Sequence, residues 1–363
     1  MTTATTAFDG FLANIRLPKK LSDQCQEEHT RLRALLLADE GLKERIVSTF
    51  LQGSYRRDTS TKPNGEDTHA DVDVVAVTTL DPTVWTPDRV VALFTPFLDR
   101  HYKGEWERQD RAIKISPEGK DITLDLVVTA APSKIQQEFF ESIDPMFKAA
   151  RTGQPALRAV DLREAFDRIA KGARLEEWQR DPLLIPSRDL RTWIRTHPLE
   201  QVRWTQEKND ATHGLYINVV RAIKWWRKQN PDGKYPKGYP LEHLVGDTCP
   251  DGVESIAEGV TRALEKIRDA YRIHAQMGIV PELPDRGVPE NNVFKKVTAD
   301  QFATFWRLAA TAADSARAAL DAETNAESVA RWRDLFGDEF PKPEKPFMPP
   351  TDAAKVTSSG RFG

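Results

Sequence analysis

The chain has 363 residues, with 52 Lys and Arg against 55 Asp and Glu, a net charge of −3. That length suits roughly two domains or one bilobal unit, and 39% hydrophobic with 29% charged residues excludes wholesale disorder. No run of about 18 apolar residues offers a membrane span, residues 1–20 carry no secretory pattern, and Cys25 and Cys249 are too few for a disulfide framework or a cysteine-based zinc site, so a reducing cytoplasmic setting is expected. In chain order, Leu32, Leu35, Leu36, Leu42, Ile46 and Phe50 recur at near-helical spacing and predict a helix over 22–51 that runs into Gly53-Ser54. Pro63, Asn64 and Gly65 mark a turn in the polar stretch that follows. A strand over 71–79, a helix over 88–100 and strands near 104–116 and 121–130 complete an α+β segment. After Pro132 the pattern turns helical, with helices expected at 155–180, 187–197, 211–229, 240–246, 254–276, 298–321 and 324–336. Thr298 with Gln301 reads as a capping box, and Gly337 stands where a helix-terminating glycine belongs. Five prolines in residues 341–350 read as a flexible tail.

Charge is uneven. Residues 151–230 carry 16 Lys and Arg against 10 Asp and Glu, so the remainder holds the negative balance. That suits an anionic ligand on the middle segment, although most such residues on helices are solvated faces.

Three pieces of the α+β half carry chemistry. Gly53-Ser54 offers backbone N–H groups and a hydroxyl with no bulky side chain in the way, a turn able to cradle phosphate oxygens. Asp71 and Asp73, two apart on a strand, point to one face. Carboxylates that close repel unless a cation sits between them, and Mg²⁺ with its oxygen ligands would resolve the conflict. Alone, such a pair also fits a solvent-facing strand edge. Asp125 lies between Leu124 and Leu126, where an unpaired charge is costly. Three strand carboxylates can hold two divalent ions for phosphoryl transfer, one activating a hydroxyl and one neutralising a leaving pyrophosphate.

Gly53-Ser54-Tyr55-Arg56-Arg57-Asp58-Thr59, then Asp71-Val72-Asp73-Val74-Val75, then Asp125, resembles the polymerase-β-type nucleotidyltransferases, and within them the bacterial CD-NTases, relatives of cGAS and the oligoadenylate synthetases. The resemblance runs on through Ala222-Ile223-Lys224-Trp225-Trp226-Arg227, Lys237-Gly238-Tyr239-Pro240-Leu241-Glu242 and Trp332-Arg333-Asp334-Leu335-Phe336-Gly337, and covers about residues 20–340. It implies a bilobal α+β fold. A nucleotidyltransferase lobe with a small mixed sheet would occupy 1–140, a helical-bundle lobe 141–340, and the Pro-rich tail 341–363.

The resemblance also implies roles. Gly53, Ser54 and Arg57 would bind the donor triphosphate. Asp71, Asp73 and Asp125 would be catalytic and hold two Mg²⁺, for which Mn²⁺ can substitute, and Asp125 would help activate the acceptor hydroxyl. Lys224 would contact the β- and γ-phosphates, and Tyr239 would stack on a base. The expected activity is synthesis of a cyclic di- or trinucleotide from ATP, GTP or both, in CBASS-type anti-phage signalling through a separate effector. Transfer of a nucleotide to a protein, tRNA or small molecule, or a catalytically silent nucleotide-binding regulator, are the alternatives. Gly238 departs from the serine of relatives, and no cGAS-type zinc insertion is present, which argues against a duplex nucleic-acid activator. Phe362-Gly363 resembles tails that an E1/E2-like enzyme conjugates in some relatives, which would suit a glycine with no Cβ; an ordinary disordered end is the alternative.

Overall fold

The computed structural model describes residues 4–64, 68–131 and 182–343. The expected helix at 155–180 and Gly363 lie outside the described residues. Five strands form a mixed sheet: β1 (Ile46–Gln52), β2 (Ala70–Thr78), β3 (Trp106–Arg108), β4 (Ile113–Ile115) and β5 (Ile122–Thr129), ordered β1-β2-β5-β4-β3. The central β2 and β5 run parallel, and the other neighbours are antiparallel. Helices α1 (Ala4–Ile15), α2 (Lys19–Ala38), the single turn α3 (Gly53–Arg56) and α4 (Pro87–His101) accompany them.

The central strands are nearly continuous apolar runs because both faces are covered. Val72, Val74 and Ala76 of β2, with Leu124, Leu126 and Val128 of β5, pack against Leu32 and Leu36 of α2 and Phe94 and Phe97 of α4. The alternate residues Val75, Val77 and Val127 meet Phe50 and a hairpin of β6 (Leu183–Ser187) and β7 (Thr192–Thr196), through Leu183 and Ile185.

Two sequence expectations fail here. The helix predicted over 22–51 ends at Ala38, and its last six residues belong to strand β1. Ile46, Val47 and Thr49 are β-branched and stiff at χ1, which favours the pleated strand over the helix, and Gly41 lies in the turns between. The helix expected at 187–197 is instead the β6–β7 hairpin. Thr192, Trp193 and Ile194 are strand formers, and Arg191 takes the left-handed conformation that closes the turn.

The helical part comprises α5 (Pro198–Ala211), which the periodicity did not reveal, α6 (Tyr216–Gln229), α7 (Tyr239–Thr248), α8 (Ile256–Ala270), α9 (Arg272–Met277), α10 (Ala299–Leu320) and α11 (Asn325–Phe336). The expected helix at 254–276 is thus split at Tyr271. The capping box at Thr298 and Gln301 is present, and Gly337 caps α11. Alanines 309, 312, 313, 316 and 319 line the buried side of α10 and let it lie close to α8.

Packing departs from a contiguous division at residue 140. Phe8 and Phe11 of α1 join the helical core: Phe8 meets Trp332 edge-on with centroids 5.0 Å apart, and Phe11 stacks on Phe336 at 4.5 Å. The β6–β7 hairpin conversely packs with the sheet. Among the described residues no helix is long and apolar enough to cross a membrane.

Candidate active site

Strand alternation sets the acids. Val72 and Val74 point into the core with α2 and α4, so Asp71 and Asp73 lie on the opposite face. In the parallel pairing Asp73 stands beside Asp125 and Asp71 beside Thr123, whose hydroxyl donates to the Asp71 carboxylate. Lys114 of β4 stands opposite Asp125. Burial pushes the Asp73 carboxyl up to about 6, with Arg57 pulling it down and Asp71 pushing it further up. Burial, then Asp73, then Asp71, push Asp125 to about 7. Asp125 Oδ1 is buried with no hydrogen-bond partner among the described residues.

These features fit a hard cation. Two carboxylates made unusually basic by burial and mutual repulsion, one with an orphaned oxygen, are suitable oxygen donors for a divalent ion. Among the described residues no group of three or more His, Cys, Asp or Glu is gathered as a ready-made metal site.

The Gly-Ser turn does not end a helix, as the sequence suggested, but follows strand β1 and opens the single turn α3. Gln52 pairs with Asp73, which brings the turn against the acids. Gly53 has φ +72°, and a Cβ there would overlap the Asp73 carboxylate. Both the conformation and the approach therefore require glycine. Ser54 Oγ lies 3.1 Å from Ser60 Oγ, and the Ser54 carbonyl accepts from Thr59 N at 2.9 Å, which folds residues 53–60 into a tight loop.

This loop also carries the contacts to the helices. Arg57 donates from Nε to Glu242 Oε2 at 3.1 Å, with Nη2 3.0 Å from the same oxygen. Lys224 Nζ donates to Glu242 Oε1 at 2.9 Å. Burial alone would raise the Glu242 carboxyl, but Arg57 and Lys224 prevail and hold it at about 2. Burial likewise opposes the Arg57 charge, yet Glu242 raises its pKa above the ordinary value. The Arg57 guanidinium sits 5.2 Å from the centroid of the Tyr239 ring, which meets His243 edge-on at 5.7 Å. Asp58 accepts from Arg221 Nη2 at 2.7 Å, and Lys62 pairs with Glu339 at 2.6 Å.

Every expected site residue among the described ones therefore converges on one region: Asp71, Asp73 and Asp125 on the sheet, Gly53, Ser54 and Arg57 on the loop, Lys224 and Tyr239 on α6 and α7. Gly238 has φ +61°, a backbone that favours glycine. Sequence reasoning gave no role to Glu242, the shared partner of Arg57 and Lys224, or to Lys114. A carboxylate among Leu241, Leu244 and Val245 was the available signal for Glu242, since such a charge needs a partner.

Residues 1–135 match the Second Messenger Oligonucleotide or Dinucleotide Synthetase domain family. The chain is 39% identical to a cyclic AMP-AMP-GMP synthase of Enterobacter hormaechei, over 98% of each chain. It is 30% identical to a cyclic AMP-AMP-AMP synthase of an Acinetobacter species, over 94% of this chain and 86% of that one. In fold it matches the CD-NTase CdnG of Bradyrhizobium diazoefficiens, solved with GTP, at a TM-score of 0.65 and 16% identity, covering 92% of this chain and 95% of that one. With strand acids, glycine loop and buried basic side chains so arranged, and with full-length relatives at these identities, the chain belongs to the bacterial CD-NTases, nucleotidyltransferases that synthesise cyclic oligonucleotides.

Proposed function

We propose that this enzyme makes a cyclic trinucleotide from ATP, alone or with GTP, as a signal to a separate effector in anti-phage defence. The product class follows the two curated relatives, whose named products are both trinucleotides and differ in one base. The observation that carries the chemistry is the register of β2 and β5, which sets Asp73 beside Asp125 while Gly53, just after β1, leans on Asp73.

In this reading the N–H groups of Gly53 and Ser54, with Lys224 and Arg57, hold the donor triphosphate, and Tyr239 supports a base. Asp71, Asp73 and Asp125 would hold Mg²⁺. Two such ions, when bound, would supply charge neutralisation at the attacking and leaving oxygens. Asp125 lies on the side of Asp73 away from the glycine loop, and in this reading it accepts the proton of the acceptor ribose hydroxyl. That oxygen bonds to the donor α-phosphorus, the α–β phosphoanhydride bond breaks, and pyrophosphate departs. Two such transfers build a linear trinucleotide and a third closes the ring.

The test is incubation of the full chain with each labelled NTP, singly and mixed, with MgCl₂, followed by phosphatase. A phosphatase-resistant product with the mass of a cyclic trinucleotide is expected, absent from the Asp71→Ala, Asp73→Ala double variant. A product that the double variant still makes would overturn the assignment of the acids, and a dinucleotide mass would overturn the product class.

A further inference from the structure

One carboxylate stands at the centre of the charges that join sheet and helices. The Glu242 side chain is buried, as are those of Arg57 and Lys224. Its two oxygens are divided: Oε1 takes Lys224 at 2.9 Å, and Oε2 takes both Nε and Nη2 of Arg57. The backbone beneath is fixed twice, by Glu242 N donating to Gly238 O at 3.2 Å and by Tyr216 Oη donating to Glu242 O at 3.0 Å. The two cations come from different parts of the chain, Arg57 from the loop that begins with Gly53 and Lys224 from α6.

Three buried charges are an expensive way to hold two elements together, since an ion pair removed from water rarely outperforms apolar packing. The arrangement does, however, fix direction. A lysine is a point charge on a flexible stem with much rotamer freedom to lose. Anchoring one of its three donors sets where the other two can reach. Two cations against one carboxylate also leave one positive charge in excess, beside Asp73, whose electrostatic neighbours include Arg57, Glu242 and Lys224.

We propose that Glu242 is a positioning residue for donor binding: by gripping Lys224 and Arg57 together it aims both cations at the nucleoside triphosphate and couples the glycine loop to α6. This rests on the reading that the donor triphosphate lies between Gly53 and Lys224. It makes Glu242 matter through binding geometry, without any contact of its own with the substrate.

Glu242→Gln keeps the shape and removes the charge; Glu242→Asp keeps the charge and shortens the reach. Both variants and the wild type are titrated calorimetrically with non-hydrolysable ATP and GTP analogues in MgCl₂. Initial rates of pyrophosphate release are then measured against NTP concentration, and each protein is melted. The expected result for Glu242→Gln is at least tenfold weaker analogue binding and a matching rise in KM, with kcat falling by less. Glu242→Asp should lie between. In a double-mutant cycle with Lys224→Gln the two losses should be strongly non-additive. Analogue binding unchanged or tightened in Glu242→Gln, or losses that simply add, would overturn the inference. Should Glu242→Gln melt as an unfolded chain, wild-type binding by Glu242→Asp would overturn it equally. Wild-type protein that binds analogue but releases no pyrophosphate would sink the proposed reaction while leaving this inference to the binding data. Wild-type protein that binds neither analogue would overturn both.

Discussion

The two sides of the site treat charge in opposite ways. On the sheet, Asp73 and Asp125 stand side by side, make no ion pair among the described residues, and are pushed up to about 6 and about 7, burial being the first cause of each. On the helices, Glu242 is more deeply buried than the half-buried Asp73 and Asp125, yet bracketed by Arg57 and Lys224 it is held near 2. Burial acts on all three carboxyls in the same direction, so the neighbours decide the sign. On the helical side each of the three charges has a partner as folded, which is what positioning requires. The sheet side is incomplete, which is what a cation-binding edge requires.

The largest break in that contrast comes from emptying the sheet side. The Asp71→Ala, Asp73→Ala double variant should lose at least about 10³-fold in turnover, yet melt no lower than the wild type in metal-free buffer, because the repulsion at Asp125 is relieved. A lower melting temperature would mean that these acids support the fold. Gly53→Ala comes next. Its positive φ costs an alanine about 1–2 kcal/mol, and the new methyl would overlap the Asp73 carboxylate. Since about 1 Å of displacement near reacting atoms can cost 10²-fold, activity should fall about a hundredfold while the melting temperature drops only a few degrees. Equal proportional losses in both would show that the contact is merely structural.

The pH dependence of stability separates the two sides more gently. In EDTA, Asp73 and Asp125 bind protons more tightly folded than unfolded, where their ordinary value is 3.8. The unfolded state then carries fewer protons, so their contribution falls as pH rises from about 4 through 7. Glu242 has the opposite sign: folded near 2 against an ordinary 4.5, its contribution is present above 4.5 and is lost as pH falls toward 2. Between pH 5 and 7.5 Glu242 is silent, but His29 and His243, pushed down to about 3 by burial, add stability as pH rises; melts in EDTA should therefore gain less over that interval in the wild type than in the double variant, and added Mg²⁺ should narrow the difference. A wild-type melting temperature that climbs over that interval as steeply as the double variant's would contradict the assignment of the raised carboxyls.

How much of this was legible in the sequence depends on how local each signal is. Asp71, Asp73 and Asp125 were readable because strand alternation is local and the apolar residues around them fix the face. Ile46 and Phe50 misled because a spacing of four is shared by a helix turn and two strand repeats, and only the run of β-branched residues separates the two. The β6–β7 hairpin was missed because its strands are short and flank a charged turn. Glu242 was unreadable as a partner of Arg57, since 185 positions separate them and no periodicity links loop to helix. The placing of α1 in the helical core is equally non-local: Phe8 and Phe11 announce a buried face but not the Trp332 and Phe336 that bury it.

The smallest effect is expected where the same loop meets α6 at the surface. Asp58, one residue beyond Arg57, accepts from Arg221 at 2.7 Å, but the Asp58 side chain is exposed. Its φ of +60° lies in the left-handed region, which asparagine also tolerates. Asp58→Asn therefore removes the charge while preserving the backbone and an acceptor oxygen. Arg221 is buried but also donates to Asn218, and water screens the exposed Asp58 end, so the pair contributes about 1 kcal/mol; melting should shift by no more than a few degrees and turnover by no more than about threefold. Asp58→Val, which forces a β-branched residue into that conformation, should cost more than the lost charge does. If Asp58→Asn instead weakened nucleotide binding as much as Glu242→Gln, burial would not be what distinguishes the Glu242 grip from the other loop-to-helix contact, and the aim of Lys224 would have to be assigned to the loop as a whole.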